Sequence, residues 1–201
     1  MTKKSDGLLK GSFITGTHGY LDVSKKRDLW REIADDTNGS FSILHNSSNE
    51  LETLKIELVY RNEIIKITES ATRPLKVEIT FDSSLKYNLT VGIEDSIDRI
   101  LKKLGKKEIE IGYSGFDERY LIQSNDYHTS VNLLAHDIAK EILHLNVYSI
   151  SYTTNTRANK SELITVISRT VEDKKTIENL IELHKKLIDR LKKMKIINNK
   201  G

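Results

Sequence analysis

Residues 54 to 60 read Leu54-Lys55-Ile56-Glu57-Leu58-Val59-Tyr60, and residues 75 to 81 read Leu75-Lys76-Val77-Glu78-Ile79-Thr80-Phe81. In both stretches apolar side chains fall on every second position. A strand turns successive side chains to opposite faces, so a period of two describes a sheet with one face buried and the other in water. Leu85, Tyr87, Leu89 and Val91 continue the alternation. The connections Arg61-Asn62-Glu63 and Asp82-Ser83-Ser84 are short enough for hairpins, which predicts an antiparallel meander. Pro74 stands at a strand start, where its missing amide costs least.

Around these segments the apolar spacing becomes helical. Ser24 is placed to cap a helix over residues 25 to 37, with Leu29, Trp30, Ile33 and Ala34 on one face and Asn38-Gly39 as a left-handed stop. A helix from Ser96 to Leu104 is expected between Asp95 and Gly105. Another runs from Tyr127 to Leu145 behind Asn125 or Asp126, with Val131, Leu134, Ala135, Ile138, Ile142 and Leu145 as its stripe. The last helix, from Lys174 to Ile197, follows Thr170-Val171-Glu172-Asp173, which resembles a capping box. Short strands are expected over Glu108 to Ile111, Arg119 to Gln123, Val147 to Tyr152 and Glu162 to Ser168. Residues 1 to 23 read as a glycine-punctuated lead-in with one strand around Ser12 to Thr15. The expected fold is α+β: one domain over residues 1 to 201, with a largely antiparallel sheet covered by helices.

The 201 residues are 37% hydrophobic and 30% charged with a single proline, a composition of globular rather than disordered or collagen-like chains. No run approaches the roughly 18 apolar residues of a membrane-spanning helix, and the first residues lack the apolar stretch of a secretory signal. A cytoplasmic setting is the expectation. Cysteine is absent, which excludes disulfides, thiolate zinc sites, iron–sulfur clusters and cysteine nucleophiles. Asn-x-Ser/Thr matches at Asn38, Asn46, Asn88 and Asn159 carry meaning only in a secreted protein.

Few residues form a pattern that chemistry requires. Gly11-Ser12-Phe13-Ile14-Thr15-Gly16-Thr17-His18 has the glycine spacing of a phosphate-binding loop but Thr17 where the phosphate-neutralising lysine belongs, so a turn is the reading. His136 and His144 flank Lys140 off the apolar stripe, a poor metal site, and no zinc spacing occurs. His184 lies on the apolar face of the last helix, the position of a hydrogen-bonded core histidine or a contact edge. Asp117, Glu118 and Asp126 are the carboxylates nearest a turn-rich region, and with Arg73 they are the candidates for a polar binding site. Asp126 has a simpler role as a helix cap, and Asp117 can accept turn amides or pair with Arg119 or Arg73. No catalytic residue, metal ligand or cofactor is assigned.

Charge is uneven. The net charge is +3, while residues 174 to 201 hold nine Lys/Arg against Glu178, Glu182 and Asp189, or +6, leaving −3 for the rest. Lys185, Lys186, Arg190, Lys192 and Lys193 are therefore candidates for contact with an anionic surface, either lipid or phosphate. The plainer reading packs the apolar stripe on the sheet and leaves the lysines in solvent. No aromatic residue lies among them, so nucleic acid ranks below lipid and protein partners.

Some of these segments share an order with known sequences. Trp30-Arg31-Glu32-Ile33-Ala34, Gly39-Ser40-Phe41 and Thr72-Arg73-Pro74 precede Leu104-Gly105 and Glu108-Ile109-Glu110-Ile111-Gly112. Phe116-Asp117, Tyr120-Leu121-Ile122 and Asn125-Asp126 close the series. In this arrangement, over about residues 28 to 126, the chain resembles a family of uncharacterised bacterial proteins. The resemblance implies a shared α+β fold and carries no catalytic residue or cofactor. The function expected is a non-catalytic cytoplasmic binding or scaffold module, for which another protein, an anionic lipid surface or a second copy of the chain can be the partner. The alternatives are peripheral membrane association through the basic helix, and an enzyme using carboxylates in residues 117 to 126.

Overall fold

The computed structural model describes residues 23–47, 51–83, 85–93, 109–168 and 171–197. Eight strands form one open sheet in which every neighbouring pair is antiparallel. They are β1 (Ser40–His45), β2 (Glu52–Tyr60), β3 (Glu63–Ser70), β4 (Arg73–Asp82), β5 (Leu89–Ile93), β6 (Tyr120–Ser124), β7 (Ser149–Asn155) and β8 (Lys160–Ile167). Their spatial order is β1-β2-β3-β4-β8-β7-β5-β6. The helices are α1, over residues 23–36, α2 (Ser114–Asp117), α3 (Tyr127–Leu133), α4 (His136–His144) and α5 (Lys174–Lys193). The expected α+β class with an antiparallel sheet and a long C-terminal helix is what the chain adopts.

The alternating segments bury the side chains they should. Leu54, Ile56 and Leu58 of β2, and Leu75, Val77, Ile79 and Phe81 of β4, all point into the core. The β2–β3 hairpin turns on Arg61 and Asn62, both with positive φ (48° and 68°), between the facing residues Tyr60 and Glu63. Two left-handed residues match the right-handed twist of the flanking strands. Two strands went unmarked by alternation: β3, where Ile64 beside Ile65 blurs the period, and the six-residue β1.

The meander runs from β1 to β4, and the correction is the hairpin expected at Asp82-Ser83-Ser84, since Asp82-Ser83 does not lead into one. The free edge of β4 is taken by β8 over eight facing pairs from Leu75↔Ile167 to Asp82↔Lys160, and Ser83 N–H donates to Asn159 O. A ladder of that length satisfies more backbone groups than the five-residue β5 can, so β5 pairs with β7 and β6 instead. Leu85 and Tyr87 lie outside any strand, their carbonyls taken by the Thr154 hydroxyl at 2.9 and 3.0 Å.

The helix expected over Tyr127 to Leu145 is two. Leu134 and the extended Ala135 (φ −47°, ψ 159°) separate α3 from α4, and Arg190 of α5 donates to the freed carbonyl of Asn132. Leu133, at the end of α3, and Leu134, at the break, are both buried. Helix α1 begins by residue 23, so Ser24 lies inside it, and it ends at Asn38 in the left-handed region (φ 53°). Gly39 follows because a Cβ there would sit 2.9 Å from the carbonyl oxygen of Glu57. The cap of α5 is Asp173, accepting from Thr176 N–H at 2.7 Å, rather than Thr170; the helix stops at Lys193 and Lys195 turns left-handed. Residues 109–111 form no strand, although Ile109 N–H donates to Ile122 O. The expected strand at Ser12 to Thr15, the glycine-rich loop and the helix at Ser96 to Leu104 lie outside the described residues.

One core lies between the sheet and the helices. Helix α1 contributes Trp30, Ile33 and Ala34, and α5 contributes Ile177, Leu180, Ile181, Leu183, His184, Leu187, Ile188 and Leu191, all buried. Full burial of a Leu or Ile side chain is worth about 1.5–3 kcal/mol, so the stripe of α5 belongs to the fold.

Candidate functional site

Because side chains alternate, the register across the sheet also specifies its other face. One row across the strands reads Ser40, Glu57, Lys66, Glu78, Ile164, Ser151, Thr90 and Gln123. The next reads Ser42, Lys55, Thr68, Lys76, Val166, Ser149, Gly92 and Leu121. Val59, Ile64, Thr80 and Glu162 face one another in a third. The described helices bury the opposite face, and on this one Val59 and Ile64 are 70% and 52% exposed, side by side.

Charge on this face is organised as a ladder. Lys76 Nζ lies 2.6 Å and Lys66 Nζ 3.5 Å from the carboxylate of Glu78, and Lys55 Nζ 3.0 Å from that of Glu57. Burial alone would raise the pKa of Glu78, but hydrogen bonds and charge from the two lysines hold it below the usual carboxylate value. Glu162 is raised, first by burial and then by the charge of Glu78 beside it. One carboxyl is thus held ionised and its neighbour biased towards the protonated form. Toward β6 the face becomes uncharged, with Ser149, Ser151, Thr90 and Gly92, and both polar atoms of Gln123 are buried without a hydrogen-bond partner among the described residues. The outward Lys/Glu positions were visible in the alternating segments; their convergence with Glu162 was not, because it depends on β8 entering beside β4.

The residues singled out from sequence are scattered. Arg73 opens β4, exposed, with its backbone N–H on Ser70 Oγ at 3.1 Å. Asp117 takes the amides of Ile111, Gly112 and Tyr113 at 3.0, 2.9 and 2.9 Å, closing the loop that leads into β6. Asp126 caps α3, accepting from the amide and hydroxyl of Thr129 at 3.1 and 2.8 Å, and these bonds lower its pKa. Asp117 and Asp126 flank opposite ends of β6, and four strand spacings, on the order of 20 Å, separate β4 from β6. The three groups do not converge.

The basic helix is tied to its neighbours. Lys186 pairs with Glu141, Arg190 with Asp137 at 2.7 Å, Lys192 with Glu63 at 3.3 Å and with the carbonyl of Arg61, and Lys185 with Glu182 at 2.7 Å. Lys193 is exposed and has no ion-pair partner among the described residues. At the other end Lys174 bridges Glu32 and Asp36 of α1 at 2.6 and 2.5 Å, and hydrogen bonds to both raise its pKa. A groove of about 390 Å³ beside that bridge is lined by Asp36, Asn38, Lys175, Glu178, Glu182 and Lys185, with Ile181 as its apolar contact. Among the described residues no group of His, Asp or Glu could hold a metal ion, and no helix is long and apolar enough to cross a membrane.

Fold and surface together define an α+β protein with an open antiparallel sheet, its described helices on one side and a charged platform on the other. No family model matches the chain, and neither does any curated protein. Among solved structures it is similar to the mycobacterial trehalose monomycolate transport factor A, TtfA, at a TM-score of 0.53 and 8% identity. That match covers 82% of this chain and 93% of the other. At such identity the likeness establishes a shared fold.

Proposed function

We propose that the chain is a non-catalytic binding module that holds a macromolecular partner on the sheet face opposite its described helices. One observation carries this reading: Arg73, Asp117 and Asp126 do not converge, whereas the charged row from Glu57 to Ile164 and the exposed Val59–Ile64 pair share a face with no described helix over it. The fold shared with a protein named a trehalose monomycolate transport factor supports a lipid-related binding role. In this reading the module works in the cytoplasm and belongs with the bacterial family that its Trp30–Ala34 and Phe116–Asp126 segments resemble.

A second reading keeps one observation in its favour. Lys193, next to Lys195, is exposed and without an acidic partner among the described residues, so α5 can meet an anionic membrane electrostatically. The contact would be salt-sensitive and shallow, since the apolar stripe of α5 is covered by its own chain.

One experiment separates the two. The full chain, a Val59→Asp/Ile64→Asp variant and a Lys185→Glu/Lys193→Glu variant are recovered from cells with their bound proteins, and each is sedimented with phosphatidylglycerol vesicles. A partner lost only from the sheet-face variant supports the first reading; a partner retained by that variant overturns it. Vesicle binding lost only from the helix variant supports the second.

A further inference from the structure

We infer that the chain self-associates through the outer edge of β1, two copies pairing antiparallel about a two-fold axis at Ser42 to make one continuous sheet. The strand order leaves β1 and β6 outermost. The edge of β6 is partly covered, since Ile109 N–H donates to Ile122 O at 3.0 Å; no described strand lies beyond β1.

Sheet edges are ordinarily guarded by charge, proline or a bulge, because a row of unpaired amides and carbonyls recruits other strands. Here β1 lacks these guards. Ser40-Phe41-Ser42-Ile43-Leu44-His45 contains no Lys, Arg, Asp, Glu or Pro, while the strands beside it in the same half of the sheet, β2, β3 and β4, each carry at least one Lys and one Glu. An uncharged edge has no charge pattern with which to select a foreign strand, but it pairs readily with its own copy.

Symmetry and side-chain direction then limit the register. Directly opposed residues must point to the same face, and a two-fold axis normal to the sheet preserves the faces. With Ser42 on the axis, Phe41 opposes the partner's Ile43 and Ser40 opposes the partner's Leu44. Phe41 and Ile43 are half-buried against the core, so their pairing would continue the apolar layer across the junction. The Ser42 hydroxyl is buried without a hydrogen-bond partner in the single chain, and on the axis it would meet its symmetry copy. Above this edge the guanidinium of Arg31 sits 5.7 Å from the Phe41 ring and 3.0 Å from Asp28. A rim that carries both signs is self-complementary under a two-fold axis. Six residues of edge give less area than a standard interface, which sets the expected affinity in the micromolar range.

Sedimentation equilibrium of the full chain from roughly 1 to 300 µM is the test. The expected result is a monomer–dimer equilibrium with a micromolar dissociation constant. Ser42→Lys sets two lysines against each other on the axis, each next to Lys55, the residue facing position 42. It should weaken association at least tenfold, while Ser42→Thr, and Tyr127→Lys on the exposed side of α3, leave it unchanged. Near-UV circular dichroism verifies folding; if Ser42→Lys fails to fold, Leu44→Lys takes its place with the same expectation. A wild-type chain that stays monomeric throughout, or a folded edge variant that associates as well as wild type, overturns the inference.

Discussion

The ring of His184 bridges α5 and the sheet: Nδ1–H donates to Leu180 O at 2.7 Å and Nε2 accepts from the Thr165 hydroxyl at 2.9 Å. The carbonyl can only accept, so it fixes the tautomer and makes Thr165 the donor. Burial pushes the imidazole pKa down to about 4, against the hydrogen bond to Leu180, which favours the protonated form. Because the folded value lies below the unfolded one near 6.5, the unfolded chain takes up the proton first. The stability this neutral histidine supports is full above about pH 6.5 and is lost as pH falls toward 4, by roughly 3 kcal/mol. Urea melts at pH 4 to 8 should show this loss in wild type and its absence in His184→Gln. Thr165→Val, which leaves Nε2 without a donor, should destabilise by about 1–3 kcal/mol at pH 7.

Asp117 should behave as a structural residue. Removing the carboxylate in Asp117→Ala leaves the amides of Ile111, Gly112 and Tyr113 without their acceptor, and a loss of about 1–3 kcal/mol in denaturant melts is expected. Amide exchange should accelerate locally, at residues 111 to 113.

On the sheet face opposite the described helices, Glu162→Gln should stabilise the chain at neutral pH by a few tenths to about 1 kcal/mol. Glu162 has a raised pKa, so its folded form favours the proton and loses stability as pH rises above about 4.5; glutamine removes that penalty. Thermal melts at pH 4 and pH 7 should differ less for the variant than for wild type. Glu78→Gln should go the other way at pH 7, because Lys66 and Lys76 lose their shared partner.

The two sides of α5 should separate cleanly. Leu187→Ala, inside the core, is expected to cost about 2–5 kcal/mol, whereas Lys193→Ala, exposed and without an ion-pair partner among the described residues, should stay within about 0.5 kcal/mol of wild type. Chemical denaturation of both variants at one salt concentration is sufficient.

Much of the secondary structure was legible because its signals are local. Alternation in Leu54–Tyr60 and Leu75–Phe81 gave two strands, and Ile177 to Leu191 gave the long helix with its buried face. His184 was legible as a core residue for the same reason, lying in phase with that stripe. The continuous stripe from Val131 to Leu145 misled: it does not reveal that Ala135 turns extended, and the carbonyl this frees at Asn132 is met by Arg190, 58 residues away. For the candidate surface, the outward Lys55, Glu57, Lys76 and Glu78 could be read off the alternation. Lys66 required β3 to be recognised, and Glu162 required β8 to be placed.

The sequence by itself determined the antiparallel character of the sheet, the amphipathic helices and the absence of thiol chemistry, since period, capping and composition act over a few residues at a time. The tertiary structure decided that β8 rather than β5 fills the edge of β4, and so which charges share a row, where Asp117 and Asp126 are committed, and which edge is left open. Strand pairing is a competition between segments far apart in the chain, won by the ladder that satisfies the most backbone and buries the most apolar surface.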